Sequence, residues 1–328
     1  MKLAVLGAGS WGTALAVHLA RQGVEVKLWG HEPDHLSALA LKRENGRYLP
    51  GVPFPASLQP KVELSDALNG ITDVLIAVPS FAFEVTLQSL AAHWKPGRLL
   101  WATKGLTSKG AWLQDRVEAL WPQAPLAILS GPSFAKEVAL GCPTAVTLAS
   151  NDQQWAEDCQ KLFSSETFRL YTTYDMRGVQ LGGVAKNILA IAVGVSDALQ
   201  YGANARSALI TRGLAEMMRL GKVLGAEPET LMGLSGLGDL ILTATDNQSR
   251  NRRFGLLLGQ GFPQEEVCRQ IGQVVEGIDN AAQLFELAQK HRIDAPIISE
   301  VHSLLLGHKT PKQAAETLLL RPHKTEQG

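Results

Sequence analysis

Gly7-Ala8-Gly9-Ser10-Trp11-Gly12 is the first segment able to do chemistry, three glycines in GxGxxG spacing directly after the apolar run 3–6. A strand entering such a turn and a helix leaving it form a dinucleotide site. Gly7 permits the tight turn, Gly9 lets backbone approach a pyrophosphate, and Gly12 allows close helix–strand packing. The helix start then offers free N–H groups and a partial positive charge to the phosphates. A second candidate, Ser249-Arg250-Asn251, presents hydroxyl, guanidinium and amide donors in succession, a set suited to the acceptor oxygens of a phosphate. The third is Lys186. Its helical neighbours Val184, Ala185, Ile188, Leu189 and Ile191 are apolar, and Gly182-Gly183 lets backbone or a ligand come close. An ammonium in that setting is expected inside the protein rather than in solvent, where most lysines lie.

These groups need elements to carry them. Residues 3–6 read as a buried strand, 13–22 as a helix ended by Gly23, and 24–29 as a second strand in which Val24, Val26 and Leu28 alternate with Glu25 and Lys27. Further strands are expected over 74–78, 99–103, 127–129 and 145–148. Strands separated by helices predict an α/β fold with a Rossmann-type, doubly wound, mainly parallel sheet. The stretch 50–60, with four prolines, reads as a surface loop. From Gly178 onward the apolar spacing turns helical, and 178–199 reads as a core helix, apolar around much of its circumference. Thr310-Pro311 has the form of an N-cap followed by proline at the first helical position. The predicted division is 1–177, a dinucleotide-binding domain, and 178–328, an all-helical substrate-binding domain.

Which dinucleotide is bound stays open at this point. An acid ending the second strand would hydrogen-bond the adenosine ribose of NAD. That strand ends in Trp29-Gly30-His31, Glu32 and Asp34 come slightly late, and no arginine stands there to hold the 2′-phosphate of NADP. His31 contacting that phosphate and His31 capping a turn are both compatible with the sequence, with a lean towards accepting NADPH.

The 328 residues are 45% hydrophobic and 19% charged, a globular balance sufficient for two domains. Lys+Arg and Asp+Glu each number 31, so no basic excess exists for nonspecific nucleic-acid binding, and any bound anion must be held by a local cluster. Cys142, Cys159 and Cys268 form no CxxC, and no His or Cys stands at a zinc-like interval, so no metal site and three reduced thiols are expected. Ala14-Leu15-Ala16 imitates a signal-peptidase site, but Gly7, Gly9 and Gly12 interrupt the preceding stretch, and the next segment continues a βαβ pattern. A cytoplasmic chain without an integral membrane segment is expected. His18 and Cys142 take structural roles only.

Three further segments are more specific than the glycine motif. They are Thr103-Lys104-Gly105, Gly131-Pro132-Ser133-Phe134-Ala135-Lys136-Glu137, and Leu237-Gly238-Asp239-Leu240 continuing to Ser249-Arg250-Asn251-Arg252-Arg253. With Lys186-Asn187 and Val275-Glu276-Gly277, they closely resemble the bacterial-type NAD(P)-dependent glycerol-3-phosphate dehydrogenases, in order, from the first residues to Arg321-Pro322. The resemblance implies a helical domain like that of 6-phosphogluconate dehydrogenase. It also implies reversible reduction of dihydroxyacetone phosphate to sn-glycerol-3-phosphate with NAD(P)H, for glycerophospholipid synthesis.

Carried over by position, Lys186 matches the catalytic lysine that exchanges a proton with the substrate's C2 oxygen. Lys104 matches a lysine touching both cofactor and substrate. Gly131, Ser133, Asp239, Ser249, Arg250 and Asn251 match substrate-binding positions. Ser10, Trp11, His31, Ala135, Glu276 and again Arg250 match cofactor positions, although His31 departs from the basic residue often found there. Arg252 and Arg253 are left as surface or salt-bridge residues. Lys104 as a second cation would lower the Lys186 pKa and Asp239 would oppose it, so the net direction stays open. A ketopantoate or 6-phosphogluconate type of dehydrogenase would share the cofactor half, and a dinucleotide sensor would share its turn. GPSFAKE and the LGDL to SRNRR segment argue against the rival dehydrogenases, and a sensor would have no need to keep Lys104, Lys186, Asp239 and Arg250 together. Exposed residues do not separate a monomer from a homodimer.

Overall fold

The structure is a computed structural model, and it describes residues 1–95 and 97–321; Pro322, the last residue of the resemblance, lies outside them, as do 323–328 of the expected second domain. The described residues form ten strands: β1 Lys2–Leu6, β2 Glu25–Trp29, β3 Glu44–Asn45, β4 Leu49–Pro53, β5 Leu58–Lys61, β6 Asp73–Ile76, β7 Arg98–Trp101, β8 Leu126–Ser130, β9 Thr144–Ser150 and β10 Phe168–Thr173. Eight make one sheet in the order β10-β9-β8-β7-β6-β1-β2-β5, and β3 pairs with β4 alone. The sheet is parallel from β5 through β8; β9 runs antiparallel to β8, and β10 parallel to β9. The fold is thus a Rossmann-type sheet followed by helices.

β1 shows why the sheet is central. Leu3, Ala4, Val5 and Leu6 are all fully buried, Leu3 and Val5 in the core on one face, Ala4 and Leu6 in the core on the other. A strand covered on both sides reads as a continuous apolar run. β2 lies on one flank of β1 and β6 on the other, so the strand order reverses here. In an open α/β sheet the crevice at that switch point is where ligands bind.

Two sequence expectations fail for physical reasons. The proline-rich stretch is not a loop: it holds β4 and β5. In β5, Pro60 pairs opposite Leu28 on the sheet's edge, where its missing N–H forfeits no bond on the open side. β10 was not among the expected strands, although Phe168 and Leu170 are buried while Arg169 and Tyr171 are exposed, a period-two pattern. His18, assigned no chemistry, packs 4.6 Å from the Phe168 ring and hydrogen-bonds the Phe163 carbonyl at 2.7 Å.

After β10 the described residues hold helices and connections only. The expected helix 178–199 is Met176–Ala198, capped by Asp175, which accepts from Gly178 N. By length and composition it could cross a membrane, which a search for uninterrupted apolar runs misses, yet its whole apolar window is buried inside the protein. It is the axis of the helical core. The Arg250–Gly259 helix crosses it at backbone contact: a Cβ on Gly194 would meet Arg252 O at 2.3 Å, and one on Gly255 would meet Ile191 O at 2.2 Å. Thr310 caps the Pro311–Leu319 helix in a reciprocal box with Gln313, as its sequence predicted in part.

Candidate active site

Lys186 lies mid-way along the central helix, only 8% exposed. Its Nζ donates to Asp239 Oδ1 at 2.7 Å and to Thr243 Oγ1 at 2.9 Å. The other oxygen of that carboxylate, Oδ2, accepts from Lys104 Nζ at 2.6 Å. Lys104 follows β7 and also donates to the Gly131 carbonyl, beyond β8, at 3.1 Å. One buried carboxylate therefore bridges two ammonium groups, Lys104 from the sheet half and Lys186 from the helical half.

Local sequence explains the placement. A π-helical turn over Leu234–Gly238 continues directly into the Asp239–Thr245 helix, and Asp239 stands at their junction. Gly182 admits that turn against the central helix, since a Cβ there would lie 2.3 Å from Ser235 O. Thr243 comes one helical turn after Asp239 on the same face. That spacing was available in the sequence, and the residue was missed.

The electrostatics left open by the sequence resolve in one direction. Burial lowers the Lys186 pKa most, Asp239 opposes it, Lys104 assists, and the result is about 8. For Asp239, burial alone would raise the pKa, but the two lysines overcome it and hold the carboxyl below its ordinary value. The centre thus keeps a firmly ionised carboxylate beside an ammonium able to release its proton near neutral pH, as general acid–base chemistry requires.

The donor segment lies at the head of the Arg250–Gly259 helix. Ser249 is the N-cap, buried, accepting from Arg252 N at 3.2 Å. Arg250 Nη1 donates to Val274 O at 2.7 Å. Asn251 donates to Asn187 Oδ1 at 2.8 Å, and its own oxygen accepts from Gly277 N at 3.0 Å. The side chain of Asn251 thus ties the donor segment to the residue after Lys186. Of the two roles expected for this pair, Arg252 takes the salt bridge, buried with Nη1 on Asp197 Oδ2 at 2.5 Å and on Ala244 O at 3.0 Å, while Arg253 is exposed. Ser133 Oγ donates to Gly131 O at 3.0 Å, and Ala135 opens the Ala135–Leu140 helix.

The glycine turn is a cradle. Gly7, at φ +126°, donates its N–H to Trp29 O at 2.7 Å, and a Cβ on it would meet Ala77 O at 2.4 Å. Gly12 could carry no Cβ either, with Gly7 O only 1.9 Å away, whereas nothing lies within 4 Å of a Cβ on Gly9. The chain is packed tightly around the turn and open in front of Gly9, at the head of the Ser10–Arg21 helix. These residues fit a dinucleotide pyrophosphate. Trp11 is partly buried against the sheet core. Glu276 accepts from Ser80 Oγ at 2.6 Å and Ser80 N at 3.3 Å, linking the helical half to the head of the Ser80–His93 helix. His31, just after β2, is exposed, its side chain 87% accessible and 3.9 Å from Glu32.

Residues 2–156 match the family model described as NAD-dependent glycerol-3-phosphate dehydrogenase N-terminus, and residues 175–316 match the corresponding C-terminus. The chain belongs to the NAD-dependent glycerol-3-phosphate dehydrogenase family. It is 52% identical over 330 residues to glycerol-3-phosphate dehydrogenase [NAD(P)+] of Shigella boydii serotype 18, covering 99% of this chain and 97% of that one. The enzyme of the same name from Yersinia pestis (strain Pestoides F) is 52% identical over 328 residues, with the same coverage. The crystal structure of glycerol-3-phosphate dehydrogenase from Coxiella burnetii superposes with a TM-score of 0.95 at 50% identity, covering 98% of this chain and 99% of that one. As a member of this family, the chain is an oxidoreductase that uses NAD or NADP.

Proposed function

We propose that the chain reduces dihydroxyacetone phosphate reversibly to sn-glycerol-3-phosphate with NAD(P)H, and that the Lys104–Asp239–Lys186 bridge is its reaction centre. The observation that carries this reading is the bridge itself, a buried carboxylate holding two ammonium groups. A nicotinamide dinucleotide held by the glycine turn would supply the hydride chemistry. Lys186 stabilises the oxygen on C2 as negative charge develops and passes it a proton; with a pKa near 8, the amine left behind is tolerated until solvent restores the proton. In the oxidative direction the neutral amine takes the proton back. Asp239 aims Lys186, Thr243 fixes its rotamer, and Lys104 adds the second positive charge.

Ser249, Arg250 and Asn251 hold the phosphate end, while Gly131 and Ser133 line the substrate's other side. Gly7, Gly9, Ser10, Trp11 and Gly12 receive the pyrophosphate, and His31, Lys104, Ala135, Arg250 and Glu276 complete the dinucleotide site. We assign 1–177 to the cofactor and 178–328 to the substrate, a division supported by the change from strands, the last ending at Thr173, to helices; the central helix itself starts at Met176, two residues before the division. A cytoplasmic location is supported by three free cysteines, and a lack of nucleic-acid binding by zero net charge. Supply of glycerophospholipid synthesis completes the reading, and light scattering separates a monomer from a homodimer.

The test is loss of reduced-nicotinamide absorbance with dihydroxyacetone phosphate, run beside ketopantoate as the substrate of a rival class. Turnover of the first alone is expected. Turnover of ketopantoate, or of neither, would overturn the assignment.

A further inference from the structure

We propose that Arg47 receives the 2′-phosphate of NADP(H), making this chain favour the phosphorylated dinucleotide. The inference rests on the reading that the glycine turn holds a dinucleotide. Because Gly7 is hydrogen-bonded to Trp29, the last residue of β2, a dinucleotide laid over the turn puts its adenosine ribose above the residues just after β2, His31 and Glu32. In sequence, no arginine is there. In space, Arg47 is: its Nη1 donates to Glu32 Oε2 at 2.8 Å, across fifteen positions of chain.

The turn between β3 and β4 delivers it, and that turn is fastened to the cofactor cradle itself. Asn45, fully buried, donates through Nδ2 to Ala8 O at 2.9 Å and to Thr13 Oγ1 at 2.8 Å, and its Oδ1 accepts from Tyr48 N at 3.2 Å. Ala8 lies inside the glycine motif and Thr13 directly after it, so the position of Arg47 relative to the cradle is set by a buried side chain. The guanidinium lies 4.8 Å from the centre of the Tyr48 ring, and Tyr48 in turn stands edge-on to His35 at 5.3 Å. Arg47 is 56% exposed, so its fork reaches a place a ligand can enter.

The charges decide the preference. A 2′-phosphate brought beside Glu32 alone would meet like charge; Arg47 neutralises that carboxylate and offers forked N–H donors matched to phosphate oxygens. NAD presents hydroxyls instead, which Glu32 can accept without displacing Arg47. The pair therefore admits both dinucleotides and gives the phosphorylated one a contact the other lacks.

Dissociation constants of NADP+ and NAD+ measured by calorimetric titration, for the wild type, Arg47→Ala, Arg47→Lys and Glu32→Gln, test this without turnover. Arg47→Ala is expected to weaken NADP+ by about 10–100-fold, the worth of a charge-assisted contact, and to leave NAD+ within about twofold. Arg47→Lys should fall between, having charge but no fork, and Glu32→Gln should tighten NADP+. Equal weakening of both dinucleotides by Arg47→Ala, or of neither, overturns the proposal. If the wild type binds neither dinucleotide, the reading of the glycine turn fails and the proposal falls with it.

Discussion

Burial and charge pull the Lys186 ammonium in opposite directions, and the balance predicts how activity varies with pH. Reduction needs the ammonium form, so its rate should fall as pH rises through about 8, while oxidation of glycerol-3-phosphate, which needs the neutral amine, should rise over the same interval. Asp239 is the neighbour that raises that pKa. Asp239→Asn is therefore expected to shift the alkaline limb of the reductive rate profile to lower pH, besides lowering its plateau; a limb that stays in place or moves upward would remove Asp239 from that role. At the donor segment, Arg250→Ala should raise KM for dihydroxyacetone phosphate while leaving KM for unphosphorylated dihydroxyacetone nearly unchanged, and equal effects on both would count against a phosphate contact. Most of these residues were legible because their types sit in ordered motifs. Thr243 and Arg47 were not: a lone threonine has no motif, and Arg47 joins Glu32 only through a turn that no local sequence signal places beside the glycine motif.

Among the elements, those that read correctly were the ones whose environment is uniform. β1 is buried on both faces and the central helix on nearly all sides, so their apolar content shows without knowledge of neighbours. The edge was less legible, since β4 and β5 carry prolines that are tolerated only where one side of a strand is unpaired. The reversal at β9 was invisible as well, because strand direction is a property of connections, not of residue type. The crossing of Gly194 and Gly255 illustrates what an element does for the site. Gly255→Val would place atoms 2.2 Å from Ile191 O and force the two helices apart. It should destabilise the protein by about 1–3 kcal/mol, lowering Tm by several degrees, and raise KM because Ser249, Arg250 and Asn251 ride on the displaced helix. A variant with wild-type Tm and KM would show that the crossing is looser than its geometry.

At the scale of the whole molecule, the two halves meet through charge and hydrogen bonds as well as packing: Lys104 on Asp239, and Ser80 on Glu276. Stability also carries a pH signature away from the site. Glu216, buried, accepts the N–H groups of Ile297 and Ile298, both at 2.9 Å, and burial raises its pKa from 4.5 to about 7. A folded-state pKa above the unfolded one means a contribution fully present below about 4.5 and lost as pH rises through about 7. Melting temperatures at pH 5 and pH 7.5 should accordingly differ less in Glu216→Gln than in the wild type; an unchanged difference would place the pH dependence elsewhere. The claim that joins both halves is that Lys186, held by Asp239, moves the proton while the glycine turn holds the cofactor independently. Its most direct test is steady-state reduction of dihydroxyacetone phosphate by Lys186→Ala, paired with a dinucleotide-binding titration. The expected result is kcat lower by about 10²–10⁴-fold with dinucleotide affinity within about twofold of wild type. An unchanged kcat would contradict it.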